Sequence, residues 1–196
     1  FTADVNTLTI NTTGKQNSTG IGISTGGELN IVAENGIEIS SKTIDPNNNS
    51  QVNASAGISA TTSVVNLTAN TGDIIINKVN KNKDNTIENV NDLNYSGVGI
   101  NSQIGSSINL NAQNNIEING ITGVSISAAN VTPGESYVVP SSIILNSGNI
   151  NSINASVVGV EVHGDNTTAE NNSKFEMNGK INKIFVDAIN GDMDLA

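Results

Sequence analysis

The chain has no cysteine, no tryptophan and no arginine, and only three phenylalanines, two tyrosines and three prolines among 196 residues. Without cysteine, neither disulfides nor thiol chemistry can contribute to stability or catalysis. Without arginine, and with eight lysines against eighteen carboxylates, the clustered cations that grip phosphates are missing. That argues against a nucleic-acid partner. The scarcity of aromatics argues against an α/β enzyme core, which depends on large rings and long helices. No run approaches the roughly 18 apolar residues of a membrane-spanning helix, and no signal peptide opens the chain. Because it begins at Phe1, the chain is expected to be a single segment, residues 1–196, excerpted from a longer exported protein.

What is abundant is asparagine, with 35 residues, and glycine, with 19. The apolar fraction rests almost wholly on Ile, Val, Leu and Ala. Ile and Val are stiff at χ1 and suit a pleated surface, so they favour strands. Asn and Gly favour turns, and asparagine amides can also bond in ladders along identical stacked strands.

Residues 20–40 set the pattern. Ile21 with Ile23, Leu29 with Ile31, and Ile37 with Ile39 alternate with small or polar residues, each pair starting eight residues after the last. Alternation puts both members of a pair on one face of a strand. Three such strands make one coil of a parallel β-helix. The unit returns as Ile58 with Ala60, Val65 with Leu67, and Ile74 with Ile76, and again as Val98 with Ile100, Ile108 with Leu110, and Ile116 with Ile118. Val124 with Ile126 and Ile143 with Leu145 open a further coil, whose third strand near Ile150 and Ile153 is poorly patterned. Val160 with Val162, Phe175 with Met177, and Ile184 with Val186 make the next, and Met193 and Leu195 begin another. Val5, Leu8 and Ile10 read as the last strand of a preceding coil, with residues 11–19 as a turn.

The segments ELNIVA, VVNLTA and SINLNA share an outward asparagine (Asn30, Asn66, Asn109) and an inward terminal alanine. Such an internal repeat signals a solenoid. Polar insertions near 42–53, 78–96, 129–141 and 165–173 stretch a core of about 24 residues by different amounts. The first two follow the third strand of a coil and the last two follow the first strand, so they are expected on two different edges. A β-sandwich would need hairpins, for which Asn35-Gly36, Asn178-Gly179 and Asn190-Gly191 are the candidates. Recurrence of whole three-strand units favours the solenoid: an all-β parallel β-helix of about five to six coils with loop insertions.

The segments GGELNIVAENGIEIS, VVNLTANTGDIIIN and SINLNAQNNIEING resemble the passenger repeats of filamentous-haemagglutinin-like exoproteins and type V autotransporter adhesins. The resemblance covers roughly residues 20–119 well and the last 70 residues loosely. It implies a right-handed three-sided β-helix, secreted or anchored to the outer membrane on the surface of a Gram-negative bacterium. It also implies an adhesin, or its stalk, with flanking β-helix coils of the same precursor as neighbours.

Candidate chemistry is sparse. His163 is the only histidine and cannot build a His-based metal cluster alone; beside Gly164 at a strand end it reads as structural or solvated. The dispersed carboxylates and missing arginine do not match a pectate-lyase-like site, and no Gly-rich phosphate loop leads from a strand into a helix. Neither a catalytic residue nor a metal or other cofactor is expected. Asp84, Glu88 and Asp92 read as part of a solvated acidic loop with Lys81 and Lys83 as partners; the alternative is that 78–96 is helical, so that they share one face and could hold calcium. Glu38 and Glu117 face outward mid-strand, and Ile75 takes the equivalent place between them, expected to lie under an insertion. Tyr95 and Tyr137, at the ends of two insertions, are the candidate ligand-binding residues, because exposed aromatics stack on sugars and enrich at interfaces. The alternative is that each pins its own loop.

The functional expectation is a non-enzymatic surface adhesin segment, monomeric or weakly self-associating. It would attach to a protein or glycan of host or bacterial cells through loops on a rigid rod. The alternatives are a pure spacer for a distal effector domain, or a carbohydrate-active β-helix of the lyase or tailspike kind.

Overall fold

In a computed structural model of the protein, the described residues are 1–14, 18–43, 55–84, 86–89, 91–94, 96–127, 129–130, 138–163, 173–179 and 184–188. Among them the chain is all-β apart from one helical turn. The strands are β1 (Thr2–Gly14), β2 (Thr19–Ser24), β3 (Glu28–Thr43), β4 (Ala56–Thr61) and β5 (Val64–Ala69). There follow β6 (Ile74–Ile76), the helical turn α1 (Asn91–Asn94), β7 (Val98–Gln103), β8 (Ser107–Ala112) and β9 (Ile116–Ser127). The chain continues with β10 (Ala129–Asn130), β11 (Val138–Val139), β12 (Ser142–Ser147), β13 (Asn151–His163), β14 (Lys174–Gly179) and β15 (Ile184–Ala188). Among the described residues, thirteen strands form one sheet of parallel pairs, while β10 and β11 form a separate antiparallel pair.

The pairing sorts this sheet into three columns. In the first, β2, β4, β7 and the later halves of β9 and β13 lie in that order. The second stacks the start of β1, the start of β3, then β5, β8, β12 and β14. The third stacks the rest of β1, the rest of β3, then β6, the starts of β9 and β13, and β15. Each strand thus pairs with its equivalent one repeat away, an arrangement consistent with a parallel β-helix. Inward residues of the three columns meet in one core, in which Ile39, Ile58, Leu67, Ile76, Ile108 and Ile118 are wholly buried. Each such side chain contributes about 1.5–3 kcal/mol.

A column of glycines fixes how closely the first and third columns approach. Gly20, Gly57, Gly99 and Gly123 each point at an isoleucine of the third column. A Cβ built on them would lie 2.5, 2.3, 2.4 and 2.2 Å from Cγ2 of Ile39, Ile76, Ile118 and Ile153. It would also meet the carbonyl of the next glycine in the column at 2.5–2.8 Å. Only hydrogen fits there.

Three expectations change. Val5 belongs to the second column, while Leu8 and Ile10 belong to the third, so β1 covers two sides, with a bulge between Val5 and Thr7. Residues 11–14, expected in a turn, continue as strand opposite Ser40–Thr43. In β7 the inward pair is Ile100 and Ser102, opposite Ile58 and Ala60, rather than Val98 and Ile100. Stacking Gly99 between Gly57 and Gly123 sets that frame, and the buried Ser102 hydroxyl is satisfied at 2.9 Å by Ser106 Oγ. In the poorly patterned stretch, Ile153 is inward, but its partner is the buried Asn151, opposite Ile116. Asn151 Nδ2 donates to the carbonyl of Asn178 at 3.3 Å.

Candidate functional site

Two segments separate the third column from the first early in the chain. The later one, 78–97, carries the candidate site, and Asn77 controls it. Asn77 is buried, and its backbone is left-handed (φ +55°), a conformation that asparagine tolerates better than most residues. Its Oδ1 accepts from the Ser41 N–H at 2.9 Å. Its Nδ2 donates to the carbonyls of Ser96 at 3.2 Å and Asn119 at 3.0 Å. One amide therefore joins the start of the insertion, its end, and the strands on either side. The neck is closed.

Beyond the neck the insertion folds back on the sheet. Val79 and Leu93 are buried, and α1 packs against β9 and β13. The Ser96 hydroxyl donates to the carbonyl of Asp92, and the Ser96 N–H to that of Leu93. Between these anchors the chain reverses tightly. Lys81 and Ile87 form an antiparallel bridge, and Asn82 Oδ1 accepts from the N–H groups of Asp84 and Thr86, each at 3.0 Å. Asn82, Lys83, Asp84 and Thr86 are exposed at the tip.

Two ion pairs tie the insertion to outward carboxylates of the third column. Lys78 Nζ lies 2.9 Å from Glu38 Oε2, and Lys81 Nζ lies 2.7 Å from Glu117 Oε2. The first is wet, with the Lys78 side chain 56% exposed; in the second both side chains are 19% exposed, so water screens it less. Glu117 Oε1 also accepts from Asn119 Nδ2 at 3.0 Å, tying the second pair to the Asn119 that Asn77 holds. Ile75 sits in register between Glu38 and Glu117, half-buried, with insertion lysines engaged on both flanks.

The helical face considered for Asp84, Glu88 and Asp92 does not form; Asp84 and Glu88 are exposed, as in the solvated-loop reading, but Lys81 pairs with Glu117. Asp84 is on the reversal, Glu88 follows the bridge, and only Asp92 is in α1, because the Asn82 side chain captures the backbone N–H groups in a turn instead. Among the described residues no group of three or more acidic or histidine side chains is placed to hold a metal ion. Tyr95 and Tyr137 lie outside the described residues, as do most of 42–53, 131–137 and 164–172. His163 ends β13 opposite Ser127. Within 129–141, Val139 packs against Gly105, where a Cβ would lie 2.3 Å from Val139 Cγ1.

The amide ladder expected from the outward asparagines is present. Asn66 Nδ2 donates to Asn30 Oδ1, and Asn109 Nδ2 to Asn66 Oδ1, both at 2.7 Å. A second ladder, Asn178 to Asn146 to Asn111, follows at 3.1 and 2.8 Å. Sequence reasoning missed Asn77 and the glycine column. Both leave a trace: Gly precedes Ile or Val at 20–21, 57–58, 99–100, 123–124 and 159–160, and Asn77 and Asn119 each directly follow an inward isoleucine pair. No protein-family model, curated protein or solved structure matches this chain.

Proposed function

We propose that this protein is a non-enzymatic segment of a bacterial surface adhesin. In this reading a right-handed, three-sided parallel β-helix of about five to six coils presents insertions to a protein or glycan on another cell. The parallel columns support the coil, and parallel crossovers are right-handed in nearly all proteins. The resemblance of residues 20–119 to haemagglutinin-like passenger repeats supports the surface location. One observation carries the functional reading. The insertion at 78–97 is closed at its neck by Asn77, anchored by Val79 and Leu93, and carries Asn82, Lys83, Asp84 and Thr86 exposed beyond the Lys81–Ile87 bridge. Binding surfaces concentrate on loops held this way.

The test is a graft. Replacing 78–97 with Gly-Ile, the return the chain itself uses at Gly120–Ile121, preserves the columns and removes the tip. Attachment of beads carrying the protein to host and bacterial cells should fall, while the β-rich circular dichroism spectrum and cooperative unfolding persist. Undiminished attachment by a folded graft would refute this placement of the site. A spacer role is the second reading, favoured by the outward asparagine ladders, whose amides largely satisfy one another. It predicts no attachment by either protein.

A further inference from the structure

Among the described residues, the interruptions fall on the edges entering and leaving the first column, between β6 and β7 and between β9 and β12. The edge between the second and third columns has none. There the chain turns in a few residues each time, at 34–35, 70–73, 113–115 and 148–150. A shallow trough runs along this bare edge. One hollow of about 450 Å³ is lined by Asp4, Asn6, Glu34 and Asn70, and a second of about 330 Å³ by Asn70, Asn111, Gln113, Asn146 and Gly148. They meet at Asn70.

The trough has a rigid, low floor. Its backbone is laddered from layer to layer, with Asn70 N–H to Ala33 O, Gln113 N–H to Ala69 O and Gly148 N–H to Ala112 O at 2.9–3.0 Å. Side chains are excluded at Gly72 and Gly148, where a Cβ would lie 1.4 and 1.9 Å from the carbonyls of Asn35 and Gln113. From Asn70 to Gly148 the lining carries no charge. The amides there keep hydrogen-bonding capacity: among the described residues the exposed Gln113 side chain has no partner, and Asn111 uses only its Oδ1. Further along, Glu34 and Asp4 add carboxylates within a chain of net charge −10.

We infer that this edge binds an extended, neutral, hydroxyl-rich polysaccharide lying along the stacking direction. The amide groups left open, Gln113 and the Asn111 Nδ2 on one coil and the Asn70 Oδ1 on the coil before it, about 4.8 Å away, match the hydroxyls of neighbouring sugar units. The negative field disfavours anionic glycans. Without an aromatic platform each unit is held weakly, so the contacts on the two coils together supply the affinity. This deepens the adhesin reading by adding a glycan site on a different edge from the insertion.

The experiment titrates the intact protein with linear neutral β-linked glucan and mannan hexasaccharides, following side-chain amide signals by NMR. At least one series should bind at millimolar concentration or tighter, shift the amide signals of Gln113 and Asn111, and be insensitive to added salt. Gln113→Ala and Asn111→Ala should each weaken binding roughly 3- to 10-fold, the loss of one uncharged hydrogen bond. The Gly-Ile graft at 78–97 should bind the sugars unchanged. No binding by either series, or affinity unaffected by both substitutions, would overturn the inference. Cell attachment that disappears with the graft while the sugars fail would leave the adhesin reading standing alone.

Discussion

Gly57→Ala adds one methyl group to a strand whose sequence, AGISAT, looks tolerant of alanine. The added carbon would lie 2.3 Å from Ile76 Cγ2, 2.8 Å from the Gly99 carbonyl oxygen and 3.1 Å from Asn77 Oδ1. Carbon contacts are comfortable at about 3.5–4.0 Å, so β4 and β6 must separate by more than 1 Å or Ile76 must leave its rotamer. Ile76 is wholly buried, and the Asn77 side chain is held by four partners, so neither side yields cheaply. Overpacking of this kind costs about 1–3 kcal/mol, and disturbing Asn77 brings the expected loss to the upper end of that range.

Gly22→Ala is the matched control. Gly22 lies in β2 on the exposed face, where a Cβ would meet only Thr19 Cγ2 at 3.4 Å. There alanine should be neutral or stabilise by about 0.5 kcal/mol, through the lower entropy of the unfolded chain. Urea unfolding at constant m separates the two. The combination Gly57→Ala with Ile76→Ala removes the colliding Cγ2, and its loss should fall short of the sum of the single losses by at least about 1 kcal/mol. A Gly57→Ala protein within about 0.5 kcal/mol of the parent, or strictly additive losses, would refute the claim that this glycine column sets the column spacing.

Other substitutions probe the remaining features. Asn77→Ala strands the Ser41 N–H and two carbonyls and puts alanine at positive φ, so a loss of about 3–5 kcal/mol is expected in the same assay. Asn77→Asp turns the donor toward those carbonyls into an oxygen, which disfavours the ionised form and raises the folded-state pKa of the new carboxyl. Its stability should therefore be higher near pH 4 and fall as pH rises toward 7 through that raised pKa, in unfolding curves measured across about pH 4–7. Thr25 is an exposed β-branched residue at φ +58°, and Thr25→Asn should raise stability by about 0.5–1 kcal/mol, read from the urea midpoint. Lys81→Ala should speed proteolytic nicking of 78–97 more than Lys78→Ala does, because its ion pair is the drier one.

The parts of the fold that were legible are those where two signals coincide. In ELNIVA, VVNLTA and SINLNA the apolar alternation and the outward asparagine agree, and the register Asn30, Asn66, Asn109 follows directly. Alternation alone fixes only which residues share a face. In β7 it could not say whether Val98 or Ser102 completes the inward pair with Ile100, and a two-residue slip keeps every face intact. The glycine before each inward Ile or Val settles it sterically, a signal invisible to a count of apolar residues. Asn151 was obscure for the opposite reason. A polar residue takes an isoleucine's place in the stack with its Nδ2 bonded to the Asn178 carbonyl on another strand and its buried Oδ1 without a partner among the described residues. The site was less legible than the fold. The spacing of Asp84, Glu88 and Asp92 suggested a helical face, but local capture of backbone N–H groups by Asn82 outcompetes helix formation, as short polar side chains do in turns.

The bare edge and the insertion are separable by free energy as well as by position. The insertion tip is charged and tied to the third column through Lys78 and Lys81, whereas the trough between Asn70 and Gly148 is neutral. Among the described residues they share no lining residue, so substitutions at the two places should act additively on binding. A cell surface that engages both should lose attachment by the product of the two fold-changes when Gln113→Ala is combined with the Gly-Ile graft. A surface recognised only through the insertion should respond to the graft alone, and the response to salt should follow the same division. If Gln113→Ala altered attachment only while the insertion was present, the two edges would be coupled through the strands between them. The independence argued from their separate residues would then be wrong.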